Sequence, residues 1–266
     1  MRTKTILLPR EHGAWAMFAV PLLVGIGASG TWNADLLLLA LTVSGFFLLR
    51  YPLMLAIKSR APDARRDAWR WSAIYTTLTA ISGTWLLLAP HLWLLIPIGA
   101  LGLATLLIYL LLAARRAEMS TAGEWLGIAG LALGAPAAYL VATRALDETA
   151  LALYLLNALY FGGTIFYIKF KIREQPRAMQ STASSRARLW AGRVTILYHA
   201  FGLIAVALLA ASEIVPALAA AAFVLPMCKV VQGVFARPAR LNIPRLGLIE
   251  LAITATFAVI VLAAYR

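Results

Sequence analysis

Hydrophobic positions in this chain come in long unbroken runs, with neither the alternation of a half-buried strand nor the narrow stripe of a surface helix. A run of about 18 to 25 apolar residues is long enough to cross a bilayer as a helix. Nine such stretches stand out: Ala14–Ala28, Leu36–Ile57, Trp71–Ala89, Leu92–Ala114, Trp125–Ala142, Ala150–Phe170, Val194–Ala211, Val215–Val234 and Leu246–Tyr265. The first is short and is expected to extend back through His12. The eighth carries Pro226 and Lys229 in its second half, where neighbouring helices can satisfy the carbonyl freed by the proline. Because Arg10, Glu11 and His12 precede the first run, a cleavable signal peptide is not expected and the first helix stays attached. The pattern predicts an all-α, polytopic transmembrane bundle of about nine spans, with residues 1–266 forming one integral-membrane domain.

Composition agrees with this pattern. Hydrophobic residues make up 62% of the chain and charged residues 13%, and the mean hydropathy is +0.82. Soluble domains are about half apolar and a quarter charged. The lone cysteine, Cys228, rules out an internal disulfide and a paired-cysteine metal site. Its apolar neighbours suggest a small core residue.

Charge gives the chain a direction. With the amino terminus inside and nine spans, every lysine and arginine except Arg144 and Arg266, of 24 in all, falls on the cytoplasmic side. The expected location is therefore the cytoplasmic membrane, with the carboxyl terminus outside. The net charge of +13 belongs to that face, where membrane insertion and anionic headgroups require it. No loop is long enough to fold a basic module, so nucleic acid is not an expected partner. The longest inner connections follow the second and sixth spans, which hints at a repeat four helices apart.

Polar side chains that enter the apolar runs are the candidate chemistry, since ionisable groups in spans usually face a bundle interior or a wet cavity. Arg10, Glu11 and His12 sit at the lip of the first helix, where snorkelling to headgroups is the alternative. Arg50 interrupts the second span, and Lys58 lies eight residues on, about 80° around the axis, so both can face one cavity. In the sixth span Asn157, Tyr160, Thr164, Tyr167 and Lys171 follow three-four spacing, with Lys169 and Arg173 stacked on an adjoining face. His199, Lys229 and Glu250 complete the set. Glu250 is expected to pair with Lys229 or Arg245, and His199 to hydrogen-bond a carbonyl. Glu124 opens the fifth span, where a carboxylate suits the helix dipole. Cations outnumber acids, which suits a phosphate, diphosphate or carboxylate ligand. Carboxylates are few and scattered, so neither a metal site nor a cofactor is expected.

At LPREHGAWAMFAVPLLVG, at the RYP of Arg50 to Pro52 and at the FYIKFKIRE of Phe166 to Glu174, the chain resembles the YwiC-like family of bacterial multi-pass membrane proteins. It is more distantly similar to the UbiA superfamily of intramembrane prenyltransferases. That resemblance implies nine helices, active-site motifs after the second and sixth, and a cytosol-facing cavity holding a polyprenyl diphosphate. The aspartate-rich motifs that bind Mg²⁺ in that superfamily are replaced here by Arg50 and Lys58, then Lys169 and Arg173. Only Asp63 and Asp67 lie near.

Three readings follow. The first is a UbiA-like membrane protein whose basic cavity binds an anionic, lipidic or prenyl-diphosphate-like ligand. Arg10, Arg50, Lys58, Asn157, Tyr160, Thr164, Tyr167, Lys169, Arg173, His199, Lys229 and Glu250 would contact that ligand, and Glu11 or His12 would transfer a proton if it reacts. The second is a transporter of a small anion. The third is a non-catalytic assembly subunit whose basic loops dock a cytosolic partner. Ligand identity, reaction and oligomeric state are open at this stage; membrane lipids are the expected surroundings.

Overall fold

The structure, a computed structural model, describes residues 6–9, 12–88, 92–178, 184–236 and 242–266, without the side chains of residues 12, 177 and 178. All regular structure among them is helical: α1 (His12–Ser29), α2 (Asp35–Lys58), α3 (Pro62–Leu88), α4 (Leu95–Ala114, after a single 3-10 turn), α5 (Thr121–Ala132), α6 (Gly134–Thr143), α7 (Glu148–Lys169), a π-helical turn (Phe170–Glu174), α8 (Gln175–Ala178), α9 (Ser185–Ala211), α10 (Ala217–Phe235) and α11 (Ile243–Ala264). Each of the nine expected spans matches one of these helices or a broken pair. Seven segments among the described residues are long and apolar enough to cross a membrane. Of the two others, α1 is apolar but short, and α3 is long but begins with PDARRDAWR. The chain is a multi-pass membrane protein.

Contacts group the chain into two compact units, Met1–Ala150 and Leu151–Arg266. In the first, α2 packs along α3, α1 along α6 and α4 along α5, while α2 also touches α4 and α6. Small residues make these approaches possible. A Cβ on Gly25 of α1 would fall 2.3 Å from the Ala135 carbonyl oxygen of α6, and one on Gly45 of α2 would fall 2.5 Å from Thr79 Oγ1 of α3. Without a hydrophobic force between helices in lipid, such close contact is what holds them together. Gly25→Val is therefore expected to destabilise by about 1–3 kcal/mol, the usual penalty for overpacking, read as a lowered unfolding midpoint in detergent. Exposed Gly13, with nothing near its missing Cβ, is the control.

The turn between α1 and α2 closes the end of α6. Asn33 Nδ2 donates to the Val141 carbonyl at 2.8 Å and Thr31 Oγ1 to that of Ala142 at 3.2 Å, satisfying acceptors that a helix end leaves open. Arg144, which ends α6 with a φ of 64°, pairs with Asp35.

Several boundaries differ from the sequence expectation. The stretch before Trp71, expected as a loop, is helix from Pro62 onward. Proline at a first helical position has no missing bond to regret, and Asp63 favours the dipole there. The expected fifth span is broken at Leu133 into α5 and α6. Pro136, in the first turn of α6, supplies no N–H to continue the ladder. Ser120 caps α5 by accepting from the Gly123 N–H at 3.1 Å.

In the second unit α9 packs along α10 and α10 along α11. Tyr160 of α7 stacks on Phe257 of α11 with ring centroids 3.9 Å apart, and both are buried. Cys228 is exposed rather than a core residue. In a bilayer an apolar run marks membrane depth and does not say which side of the helix faces inward.

Candidate functional site

The first unit contains a partly open cavity of about 440 Å³ bounded by residues from α1 to α6. Its walls are largely apolar, with Phe18, Phe46, Phe47, Leu106 and Leu126 among them. Threonines 42, 79 and 105 also line it, but each hydroxyl donates to a carbonyl of its own helix, so they add little free polarity. Arg50 is the single charged residue among the described lining residues. Its guanidinium lies 4.8 Å from the centre of the Tyr109 ring, a cation–π contact, and Nη1 would stand 3.6 Å from a Cβ on Gly127. Tyr109 is held in turn by its hydroxyl, 3.7 Å from Met54 Sδ.

Glycines make this space. A Cβ on Gly99 would meet nothing within 4 Å, and one on Gly102 would meet only Phe46 and Leu133 at ordinary contact distance. These differ from Gly25, which is bare so that two backbones can touch. The cavity residues other than Arg50 were not among the sequence candidates. The glycines of α4 and α5, Gly99 with Gly102 and Gly127 with Gly130, were a signal for them, though small residues on a spanning helix also mark tight packing.

Other expected site residues have different surroundings. Lys58 does not line the cavity with Arg50. It pairs with Glu118 in the connection between α4 and α5, and its ammonium hydrogen bond holds the Glu118 carboxyl below the ordinary range. A lowered native value means that the stabilisation is present above the unfolded carboxylate value and fades as pH falls through the native one. The pair is partly solvated, so Glu118→Gln is expected to lower stability by under about 1 kcal/mol at neutral pH. Unfolding midpoints compared at neutral and acid pH should show that difference vanish.

The second unit gathers the rest of the polar stripe. Asn157, Tyr160, Thr164 and Tyr167 are all buried on α7. Asn157 Nδ2 donates to the Leu153 carbonyl at 2.8 Å, and the Tyr160 hydroxyl to Thr254 Oγ1 at 3.0 Å. Glu250 of α11 takes Lys229 of α10 as its partner, at 2.7 and 2.8 Å through its two oxygens. The Lys229 ammonium also lies 4.4 Å from the centre of the Tyr167 ring. His199 is buried, with Nδ1 2.8 Å from the Thr195 carbonyl, the simple role expected of it. A Cβ on Gly163 would be 2.8 Å from its Nε2.

The π-helical turn shifts the expected register beyond Lys169, because each π turn holds more than the usual 3.6 residues. Lys169 and Arg173 therefore do not stack as consecutive α-helical turns would, and Arg173 is exposed. Lys171 and Gln175 instead both donate to the Gly233 carbonyl near the end of α10, at 3.0 and 3.1 Å.

Arg10 and Glu11 lie outside the described residues, as does the side chain of His12. Just before them, Leu7 accepts from the Tyr75 hydroxyl at 3.1 Å and Pro9 from Trp15 Nε1 at 3.3 Å, which ties the segment preceding α1 to α3 and to α1 itself. Among the described residues no group of three or more histidine, cysteine, aspartate or glutamate side chains could hold a metal ion.

Comparison with known proteins places the chain. A solved structure of a UbiA homolog from Archaeoglobus fulgidus covers 99% of this chain and 99% of its own, at a TM-score of 0.51 and 14% identity, which shows a shared fold. A Haemophilus influenzae protein described as uncharacterized is 26% identical over 260 residues, 97% of this chain and 98% of that one. A family model described as YwiC-like protein matches residues 8–139. The Bacillus subtilis protein YwiC, also described as uncharacterized, is 31% identical over 176 residues, 64% of this chain and 68% of its own. With that match to two thirds of YwiC, the chain belongs to the YwiC-like family.

Proposed function

We propose that this protein binds an amphiphile with an anionic phosphate-type head and one apolar tail, the tail in the cavity of the first unit and the head at Arg50. The observation that carries this reading is the cavity itself, largely apolar and with one guanidinium as the single charged group among its described lining residues. Concave, mostly apolar sites of this size with a few placed polar groups are where proteins take up small ligands. A guanidinium presents a planar fork to phosphate oxygens. Prenyl phosphates and diphosphates, suggested by the UbiA resemblance, are within this class. If such a ligand reacts, Arg50 would stabilise charge on its leaving phosphate.

Orientation is part of the same reading. The cationic inner loops support an amino terminus inside the cytoplasmic membrane, which sets Arg50 toward the cytosolic end of α2. Lys229 and Glu250 fit a structural role in the second unit, since they satisfy one another.

The test is native mass spectrometry of the purified protein in lipid nanodiscs, with n-dodecyl phosphate as probe. One bound molecule in the wild type, lost in Arg50→Ala, supports the reading. Equal binding to both proteins, or none to the wild type, removes it.

A further inference from the structure

We infer that Tyr109 is a positioning residue for the head site: its ring holds the Arg50 guanidinium at the cavity wall, set for an anionic head before any ligand arrives. This rests on the reading proposed above. Arg50 lies eight residues before Lys58, the last residue of α2, or about 12 Å along the axis. A long cationic side chain at such a depth is drawn toward the nearer membrane surface, where its charged end regains water while its stem stays among apolar groups. Facing an apolar cavity is the costlier arrangement. A group on the cavity side has to hold the guanidinium there, and the Tyr109 ring is placed to do so, with its centre 4.8 Å from Cζ.

The ring is itself held. Tyr109 is buried on α4, and its hydroxyl donates to Met54 Sδ at 3.7 Å. Met54 follows Arg50 by four residues, so the two project from one face of α2 on successive turns. One tyrosine thus spans both, ring against the cation and hydroxyl against the sulfur. The hydroxyl contact sets the tilt of the ring and keeps its polar end out of the apolar space.

The kind of partner matters for the chemistry. Lys58 and Lys229 meet carboxylates, Glu118 and Glu250, which cancel their charge. A ring attracts a cation through its quadrupole and leaves the charge in place, so Tyr109 does not weaken the pull on an anion. Gly127 of α5 brings no side chain against Nη1, and even a Cβ there would sit 3.6 Å away, at ordinary contact distance. Holding the guanidinium beforehand favours binding, since ordering a flexible side chain at the moment of binding weakens affinity by about two- to tenfold.

The experiment titrates n-dodecyl phosphate and the uncharged n-dodecanol, each as a mole fraction of nanodisc lipid. The proteins are the wild type, Tyr109→Phe, Tyr109→Leu, Arg50→Ala, and Arg50→Ala combined with Tyr109→Leu. Tyr109→Leu should bind the phosphate about three- to tenfold more weakly and the alcohol within about twofold of the wild type. Tyr109→Phe keeps the ring and should bind both within about twofold. In the Arg50→Ala background Tyr109→Leu should change phosphate binding by less than about twofold, because no guanidinium is left to position. Undiminished phosphate binding by Tyr109→Leu overturns the inference and leaves the binding reading standing. So does an equal loss in Tyr109→Phe, which would assign the effect to the hydroxyl. So does an equal loss in the Arg50→Ala background, or a matching loss of the alcohol, either of which would mean that the substitution deforms the cavity. Failure of both probes on the wild type removes the binding reading, and the role of Tyr109 with it.

Discussion

Arg50→Ala is expected to weaken binding of n-dodecyl phosphate by about ten- to a hundredfold. A hydrogen bond to a charged group contributes about 1.5–3 kcal/mol, and each 1.4 kcal/mol is about tenfold in affinity. Arg50 is the one charged group among the described residues lining that cavity, so no other described lining residue compensates for its loss. Arg50→Lys should fall between the two. A lysine retains the charge but not the planar fork or the fit over the Tyr109 ring. Titration with the phosphate and with the uncharged n-dodecanol separates head from tail. Arg50→Ala should bind the alcohol as the wild type does, and a parallel loss of alcohol binding would mean that the cavity itself has collapsed.

Glu250→Ala is expected to destabilise the second unit by about 3–5 kcal/mol, the range for breaking a buried ion pair from one side. Both side chains are about nine-tenths buried, and the carboxylate holds the ammonium through two oxygens. Alanine would leave the Lys229 charge beside the Tyr167 ring with no counter-ion. The double replacement Lys229→Met with Glu250→Leu should recover most of the loss, because it removes both desolvation penalties together. Unfolding midpoints in detergent for the two single variants and the double one complete the cycle. Additive single effects would show that the pair is not coupled and that Glu250 matters for another reason. Phosphate binding at Arg50 should survive in the double variant, since Lys229 and Glu250 belong to the other unit.

Much of the fold was legible because a bilayer imposes a length on every helix. Leu92 to Ala114 and Ala150 to Phe170 could be delimited almost to the residue, since an apolar run ends where the hydrocarbon ends. The same rule failed for α3, whose polar first third is helix as well, and for α5 and α6, where the apolar run continues through a break. Hydropathy measures depth, and depth does not determine backbone continuity. Of the site candidates, Arg50 was recognisable as a charge inside an apolar run. The pairing of Glu250 with Lys229 was one of two options open to it by depth, since Arg245 was the other. Lys58 was misread because a helical wheel gives a direction but not what waits there; Glu118, in a short connection sixty residues on, takes it up. The cavity was not legible, because along the chain Gly99 and Gly102 look no different from the small residues that pack helices together.

The sequence by itself determined that this is a multi-pass helical membrane protein, from run length and composition, and that it resembles the YwiC-like family, from the stretch around PREHGAW. Tertiary structure decided which glycines bring backbones together and which leave room. It also decided which acid Lys58 and Lys229 meet and that Arg50 faces a cavity. These are properties of what lies opposite a side chain, set by residues on other helices, and a one-dimensional pattern records only what lies beside it along the chain.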